Sequence, residues 1–491
     1  MRLLQNKSVN NEAAENLRII RRLAVMLLLG YAALIILFYF LAGEQLHLRQ
    51  SRGNRELSAA DSGTVELTAG SVVEQSFITT IQRLEQIDVQ WGTYYRPNAG
   101  TVLLELMDLR DSSVLLSGAF DAAAITEGGL TTLTAEEPIE GLYNVPLLLR
   151  ITSPDCAVGS AASPLMNTQE KLEGGSLTLN GEPSEGVLCF AVKGTDYIWT
   201  GLHYWEFAAA GELLLLAGLG VIWLRLRQGR RSYVVNAVAA VQKYRFLIRQ
   251  LVSRDFKTKY KRSVLGMFWS FLNPLLTMFV QYFVFSTIFK SDIPNYPAYL
   301  LIGIVTFNFF TEASGMALSS IVGNAGLITK VYMPKFIYPL TRVMSSVVNL
   351  GISLIPLVLV SLVTGIQFKK SAILSLFFFC CVIIFSLGVG LLLSAAMVFF
   401  RDTQFLWGVL SMIWMYVTPI FYPESILPED FRFILRINPM YHFLKNIRLC
   451  ILDGISPEPS VYVQCTLMAL GSLLIGALVF RKSQDRFVLY L

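Results

Sequence analysis

Residues 265–289 form a run of 25 positions without a single charged side chain. As a helix this run is roughly 37 Å long at 1.5 Å per residue, enough to cross a hydrocarbon layer of about 30 Å. In lipid every backbone N–H and C=O must find its partner inside the protein, so such a run spans as a helix. Directly before it, Arg254, Lys257, Lys259, Lys261 and Arg262 fall within nine positions. Cations at the end of an apolar span mark the cytoplasmic face. There they are the first groups met by an anion such as a lipid phosphate.

The rest of the chain repeats this pattern. Only 15% of its residues are charged and 54% are hydrophobic, against about 25% charged in soluble domains. Residues 23–42 are a charge-free run behind Arg18, Arg21 and Arg22. It is too long for a typical signal-peptide core and is read as a retained helix with its N-terminal side inside. Residues 207–224 form a second span, ended by Arg225, Arg227, Arg230 and Arg231. Glu212 within it is costly and is expected near the outer interface or against a neighbouring helix. Between 234 and 262, Val241, Tyr244, Ile248 and Leu251 recur at helical spacing, with Arg245 and Arg249 between them. This predicts one amphipathic helix along the inner surface. Six further spans follow at about 265–289, 298–321, 336–364, 372–400, 405–422 and 461–480. Lys369 and Lys370 then fall outside, against the general trend. Residues 423–453 are apolar in pieces too short to span and broken at Asn438-Pro439, which fits two short helices dipping back into the outer leaflet.

Residues 43–205 have another character. Short runs at 64–68, 86–91, 101–106, 147–151, 176–179 and 187–192 are separated by Pro97-Asn98-Ala99-Gly100, Gly128-Gly129, Gly174-Gly175 and Asn180-Gly181. Short strands with this punctuation predict an antiparallel β-sandwich. With an inside signal on both flanking spans, this domain is expected outside the cytoplasm. Its pattern is similar to that of jelly-roll carbohydrate-binding modules. Trp91, Tyr94 and Tyr95 near a strand end are candidates for glycan contact, or else packing at the strand edge. Cys156 and Cys189 could form a disulfide in an oxidising compartment.

The expected architecture is therefore an α-helical polytopic membrane protein with eight transmembrane helices, both termini cytoplasmic, and an inserted extracytoplasmic antiparallel β-sandwich. Its parts are 1–42, 43–205, 206–232, 233–263 and 264–491.

A family resemblance rests on Arg254-Asp255-Phe256, Tyr260, Ser263-Val264-Leu265-Gly266, Trp269 and Pro274. From about residue 241 to the C-terminus the chain resembles the membrane subunit of type-2 ABC exporters. It is most similar to those exporting lipid-linked polysaccharide of the O-antigen and teichoic acid kind. The resemblance implies a permease homodimer in the bacterial inner membrane, served by two copies of a separate cytoplasmic ATPase that holds the ATP and Mg. It implies a substrate head-group entrance at Arg254, Lys257, Lys259, Lys261 and Arg262. It places ATPase coupling at Gly326, Leu327, Tyr332, Met333 and Pro334, with a second contact at Arg401 and Asp402. An external gate is implied at 423–453, with Pro419, Tyr422, Pro423, Leu427, Pro428, Asn438 and Pro439 matching its pattern. Trp269, Tyr282, Trp407, Trp414 and Tyr416 are candidates for the translocation path, where rings stack on sugars, or for the aromatic belt at the membrane interface.

No GxxxxGK[ST] loop occurs, and His47, His203 and His442 form no metal motif. Leu172-Glu173-Gly174-Gly175 is read as a turn between strands. No hydrolase or glycosyltransferase signature is present. The chain carries no visible engine or cofactor site, so uphill transport draws its energy from a partner. Basic residues gather at span ends rather than on a domain face, which argues against nucleic acid. Membrane lipids and a lipid-linked glycan are the expected partners. The alternatives are a type-2 exporter of a drug, peptide or lipid, a non-ABC regulator of polysaccharide chain length, and a membrane glycosyltransferase.

Overall fold

The computed structural model describes residues 2–228, 232–261, 263–288, 293–330, 333–426, 428 and 432–490, with side chains from residue 18 onward except at 287, 288 and 425. It divides into two units, Met1–Leu46 with His203–Leu491, and His47–Leu202. The chain begins with α1 (Arg2–Ala42), so the polar residues before position 23 continue the same helix as the apolar run.

The second unit is the sandwich. Its strands are β1 (Leu48–Gln50), β2 (Ser62–Gly63), β3 (Val72–Thr79), β4 (Arg83–Gly92), β5 (Thr101–Asp108), β6 (Val114–Asp121), β7 (Leu130–Glu140), β8 (Val145–Thr152), β9 (Ser163–Asn167), β10 (Leu177–Leu179), β11 (Glu182–Ser184), β12 (Val187–Leu188) and β13 (Phe190–Tyr197), followed by the short α2 (Trp199–Leu202). One antiparallel sheet has the order β1-β13-β4-β9-β12, with β2 on β9 and β7 on β4; the other is β11-β10-β3-β8-β5-β6. Period-two alternation turns Val102, Leu104 and Leu106 of β5 and Leu147, Leu149 and Ile151 of β8 inward. They meet Ile87, Val89 and Trp91 of β4 and Phe190 of β13 in one core.

Two strand expectations are corrected. Residues 64–68 are not a strand: Thr64 and Leu67 donate to Pro164 and Ala162, a contact too sparse to make a ladder. The run 187–192 is two strands, because Cys189 is where the chain changes partner from β9 to β4. Its N–H donates to Leu165 and its carbonyl accepts from Gln90. Cys156 and Cys189 are free, buried thiols rather than a bridge. The Asn180-Gly181 turn is as expected, with φ of 54° and 85° joining β10 to β11.

The helical unit continues with α3 (Tyr204–Arg227), α4 (Tyr233–Lys243), α5 (Arg245–Lys259), α6 (Phe268–Tyr282) prolonged by a π-helical stretch Phe283–Ile288, α7 (Tyr296–Leu318), α8 (Ala325–Ile328), α9 (Ile337–Val363), α10 (Ser375–Phe399), α11 (Thr403–Val417), α12 (Arg432–Ile437), α13 (Pro439–Arg448), α14 (Pro459–Ser483) and α15 (Phe487–Tyr490). Among the described residues seven segments are long and apolar enough to cross a membrane, those of α1, α3, α6, α7, α9, α10 and α14. The expected eighth span is α11, whose 15 residues reach only about 22 Å. It stops because Thr418 precedes Pro419, which pushes it to extended backbone (φ −87°, ψ 127°).

The single amphipathic helix expected over 234–262 is corrected to two. Tyr244 (φ −97°, ψ 11°) ends α4 and begins α5, and this elbow packs Tyr244, Leu247 and Ile248 against a second apolar cluster. The centre of the unit is α7, buried along most of its length among α9, α10 and α6. Helices α10 and α14 touch backbone to backbone: a Cβ on Gly476 would lie 2.0 Å from the Gly388 carbonyl oxygen. Small residues that allow such approach are a standard means of helix packing in lipid.

The N-terminal helix also docks on this unit. The Tyr204 hydroxyl donates to Ile35 O (2.8 Å) and that of Tyr31 to Ala208 O (3.2 Å). Phe38 stands edge-on to Tyr462 at 4.7 Å. Beyond α1, the Gln45 amide accepts from Ser456 N (2.7 Å) and donates to Gly454 O (3.4 Å).

Candidate functional site

The basic helix α5 is seated on α7 and α9 by two ion pairs of opposite sense. Asp255, 8% exposed, accepts from its neighbour Arg254 (3.1 Å) and from Arg342 of α9 (3.2 Å). Lys259 reaches Glu312 of α7 at 2.9 Å, and Asn349 of α9 donates to the same oxygen at 2.6 Å. Tyr260 donates to Asn349 Oδ1 (3.0 Å) and shares a hydrogen bond with Ser270 of α6. A carboxylate in an apolar helix is costly unless paired, and Glu312 is paired twice. The charges of Arg254 and Lys259 are thereby engaged. Lys257 and Lys261 are exposed and have no carboxylate partner among the described residues. Arg262 lies outside the described residues. Glu312, Arg342 and Asn349 escaped the sequence reading. The signal was available, since Glu312 and Arg342 are charges inside otherwise apolar spans.

A second network holds the non-helical backbone after α11. Arg448 at the end of α13 is 8% exposed. It donates to Pro419 O (2.7 Å), Ile420 O (2.8 Å) and Tyr299 O (3.2 Å), and its guanidinium lies 3.4 Å from the centre of the Tyr299 ring. Tyr299 and Tyr296 of α7 donate to Tyr422 O (2.9 Å) and Phe421 O (2.7 Å). Asn438 accepts from Trp414 Nε1 (2.8 Å) and from Met440 N (3.1 Å), and donates to Thr418 Oγ1 (2.9 Å). Pro439 is the first residue of α13. The carbonyls freed where α11 ends are thus satisfied by side chains of α7 and α13. Gly303 makes room for this, since a Cβ there would lie 2.8 Å from Ile420 and 3.0 Å from Arg448. Pro423 is half-buried and Pro428 exposed; Leu427 lies outside the described residues. Sequence reasoning named Asn438 and Pro419 but missed Arg448 and Tyr299.

The aromatic candidates separate. Trp407 is buried and edge-on to Phe310 (5.9 Å); Trp414 is half-buried and also edge-on to Phe310 (5.1 Å). Trp269, Tyr282 and Tyr416 are exposed. Among the loop residues, Met333 is buried with Ile321, Ile337, Phe480 and Phe487, and Leu327 leans on that cluster with Leu247 and Ile248 of α5. Pro334 is half-buried, while Gly326, Arg401 and Asp402 are exposed; Tyr332 lies outside the described residues. Lys335 donates to Gln484 O (2.5 Å), tying this loop to the C-terminal helices.

In the sandwich, Trp91 is a core residue, fully buried with its Nε1 donating to Thr131 Oγ1 (2.7 Å). Tyr94 and Tyr95 follow it on a turn with φ of 52° and 54°, and Tyr95 is 90% exposed. Glu127 braces the turn by accepting from Thr93 Oγ1 (2.7 Å), Thr93 N (2.6 Å) and Tyr95 N (3.4 Å). The Thr93 hydroxyl, then its N–H, holds the Glu127 carboxyl below the usual range. Arg96 stacks on Tyr94 at 4.9 Å and pairs with Glu66.

The profile of the ABC-2 type transporter family matches residues 247–452, from within α5 to the end of the segment after α13. An O-antigen export system permease protein of Klebsiella pneumoniae is 30% identical over 245 residues, covering 49% of this chain and 93% of that protein. The chain belongs to the ABC-2 type transporter family. A Myxococcus xanthus O-antigen export permease is 27% identical over 260 residues, 52% of this chain and 98% of its own length. A polysialic acid transport protein of Escherichia coli is 22% identical over 246 residues, 48% and 93%. These relatives are permease subunits, not enzymes. The ABC-2 chain is a multi-pass membrane protein in which both polar networks lie on elements of the matched region, while α1, the sandwich, α3 and α4 precede it.

Proposed function

We propose that this chain is the membrane subunit of an ATP-driven exporter that moves lipid-linked polysaccharide, or a teichoic-acid-like polymer, across the cytoplasmic membrane. The observation that carries the reading is its 30% identity to an O-antigen export permease along nearly all of that protein. The family implies an ABC ATPase, which binds ATP and Mg and serves a homodimer of this chain. Lys257 and Lys261 attract the phosphate of the lipid head group. Lys259 then exchanges its Glu312 partner for that phosphate, loosening α5 from α7. The loop bearing Gly326, Leu327, Tyr332, Met333 and Pro334, with Arg401 and Asp402, receives the motion of the ATPase. The segment held by Arg448 and Asn438 is the external gate. The sandwich lies outside the cytoplasm, with Tyr94 and Tyr95 offering ring faces to the emerging glycan.

The test is to delete the chain together with its ATPase and measure surface polymer. Loss of the polymer, with undecaprenyl-linked glycan accumulating inside, is expected. Unchanged surface polymer would overturn the reading.

A further inference from the structure

The α1–α3 hairpin is closed at one end and open at the other. Near its sandwich-proximal residues in sequence the helices touch: Tyr31 and Tyr204 bond across to backbone carbonyls. A Cβ on Gly211 would lie 2.2 Å from the Tyr31 hydroxyl. Towards the arginine-bearing end the helices part around a cleft of about 710 Å³. Its walls are Ala24 and Leu28 of α1 and Leu216, Leu219 and Gly220 of α3. A Cβ on Gly220 would meet no atom within 4 Å, so this wall has nothing packed on it. Arg18, Arg21 and Arg227 stand at the same cleft. None of the three has a carboxylate partner among the described residues, and the Arg227 guanidinium rests over the Trp223 ring at 5.2 Å.

An apolar cleft with three arginines selects an amphiphile. A free phosphate would leave the Leu and Ala walls uncovered, and a neutral chain would leave the arginines without a counter-charge. A zwitterionic lipid brings its own cation to the arginines. We propose that the cleft binds one anionic glycerophospholipid, with its phosphate among Arg18, Arg21 and Arg227 and an acyl chain along Leu28, Leu216 and Gly220. Basic pockets between transmembrane helices are the established setting for such head groups. The bound lipid fills the cleft and joins its α1 wall to its α3 wall. The inference concerns a part of the chain outside the matched family region, and does not depend on the cargo.

The experiment uses the full chain in nanodiscs of phosphatidylethanolamine with or without phosphatidylglycerol, read by native mass spectrometry of lipids retained on release. The wild type is expected to keep one phosphatidylglycerol well above its bulk proportion. The triple variant R18Q/R21Q/R227Q is expected to bind it roughly a hundredfold more weakly, from three arginine contacts. Gly220→Phe, which fills the cleft and leaves the arginines in place, is expected to lose the lipid as well. Three results would overturn the proposal: retention in bulk proportion by the wild type, retention unchanged in Gly220→Phe, or a Leu219→Cys cross-link between two copies of the chain showing that protein fills the cleft. An unchanged elution volume and helical circular dichroism certify that both variants fold.

Discussion

Arg448 shows how one side chain can carry a whole turn of backbone. It serves the Pro419, Ile420 and Tyr299 carbonyls at once. Arg448→Met keeps the length but leaves these acceptors unmade, at a cost of about 3 kcal/mol. A fall of several degrees in melting temperature is expected, with Arg448→Lys intermediate because it lacks the planar fork. Glu312 and Lys259 give a second prediction at this scale. If Glu312 competes with the substrate phosphate for Lys259, Glu312→Gln lowers the substrate concentration that half-stimulates ATP hydrolysis, and Lys259→Met raises it. Equal half-saturation in both would remove Glu312 from head-group capture. In the sandwich, burial would raise the Asp88 carboxyl, but hydrogen bonds from Lys193, Gln86 and Thr132 outweigh it and hold it below the usual range. Its stabilising contribution is therefore complete above about pH 4 and is lost as pH falls through the depressed value. Asp88→Asn is expected to flatten that acid limb in thermal melts of the full chain, at a cost of about 2 kcal/mol near neutrality.

Among the elements, those whose signal was local were legible. Charge-free runs gave the long helices to within about five residues at each end, except the start of α1, which runs back through polar residues to Arg2, and Asn180-Gly181 gave its hairpin. Of the longer strands β3, β6, β7 and β9 were not seen: Glu74, Gln75 and Ser76 interrupt β3, Ser117-Gly118 breaks β6, threonines dilute β7 and Pro164 interrupts β9, and β3 and β7 are stabilised by partners far along the chain. The elbow at Tyr244 was hidden for the same reason: the cluster that bends it is built from residues 321–487. The networks on Glu312 and Arg448 join helices that the sequence sets far apart, so their members could be noticed singly but not assembled. The Gln45 contact belongs at this scale too. Its amide grips both sides of the bend between the segment after α13 and α14, where Gly454 takes a left-handed φ of 65°. Gln45→Ala should leave Ser456 N–H without that acceptor and raise its amide exchange by about fivefold, the change expected for roughly 1 kcal/mol. Unaltered exchange at residue 456 would show that the contact contributes nothing.

At the scale of the whole molecule, a family core accounts for about half of the chain. The other half adds a helical hairpin bolted to that core and a sandwich carried within it. In the proposed function this assembly is a permease driven by a partner ATPase and loaded with a lipid-linked glycan. The most direct measurement is ATP hydrolysis by the chain and its ATPase, co-purified and reconstituted in proteoliposomes, with and without undecaprenyl-linked polysaccharide. Hydrolysis is expected to rise on addition of the glycan lipid and to lose that response in a Lys257→Ala/Lys261→Ala variant. Hydrolysis indifferent to the glycan lipid, or no ATPase in the purified complex, would contradict it.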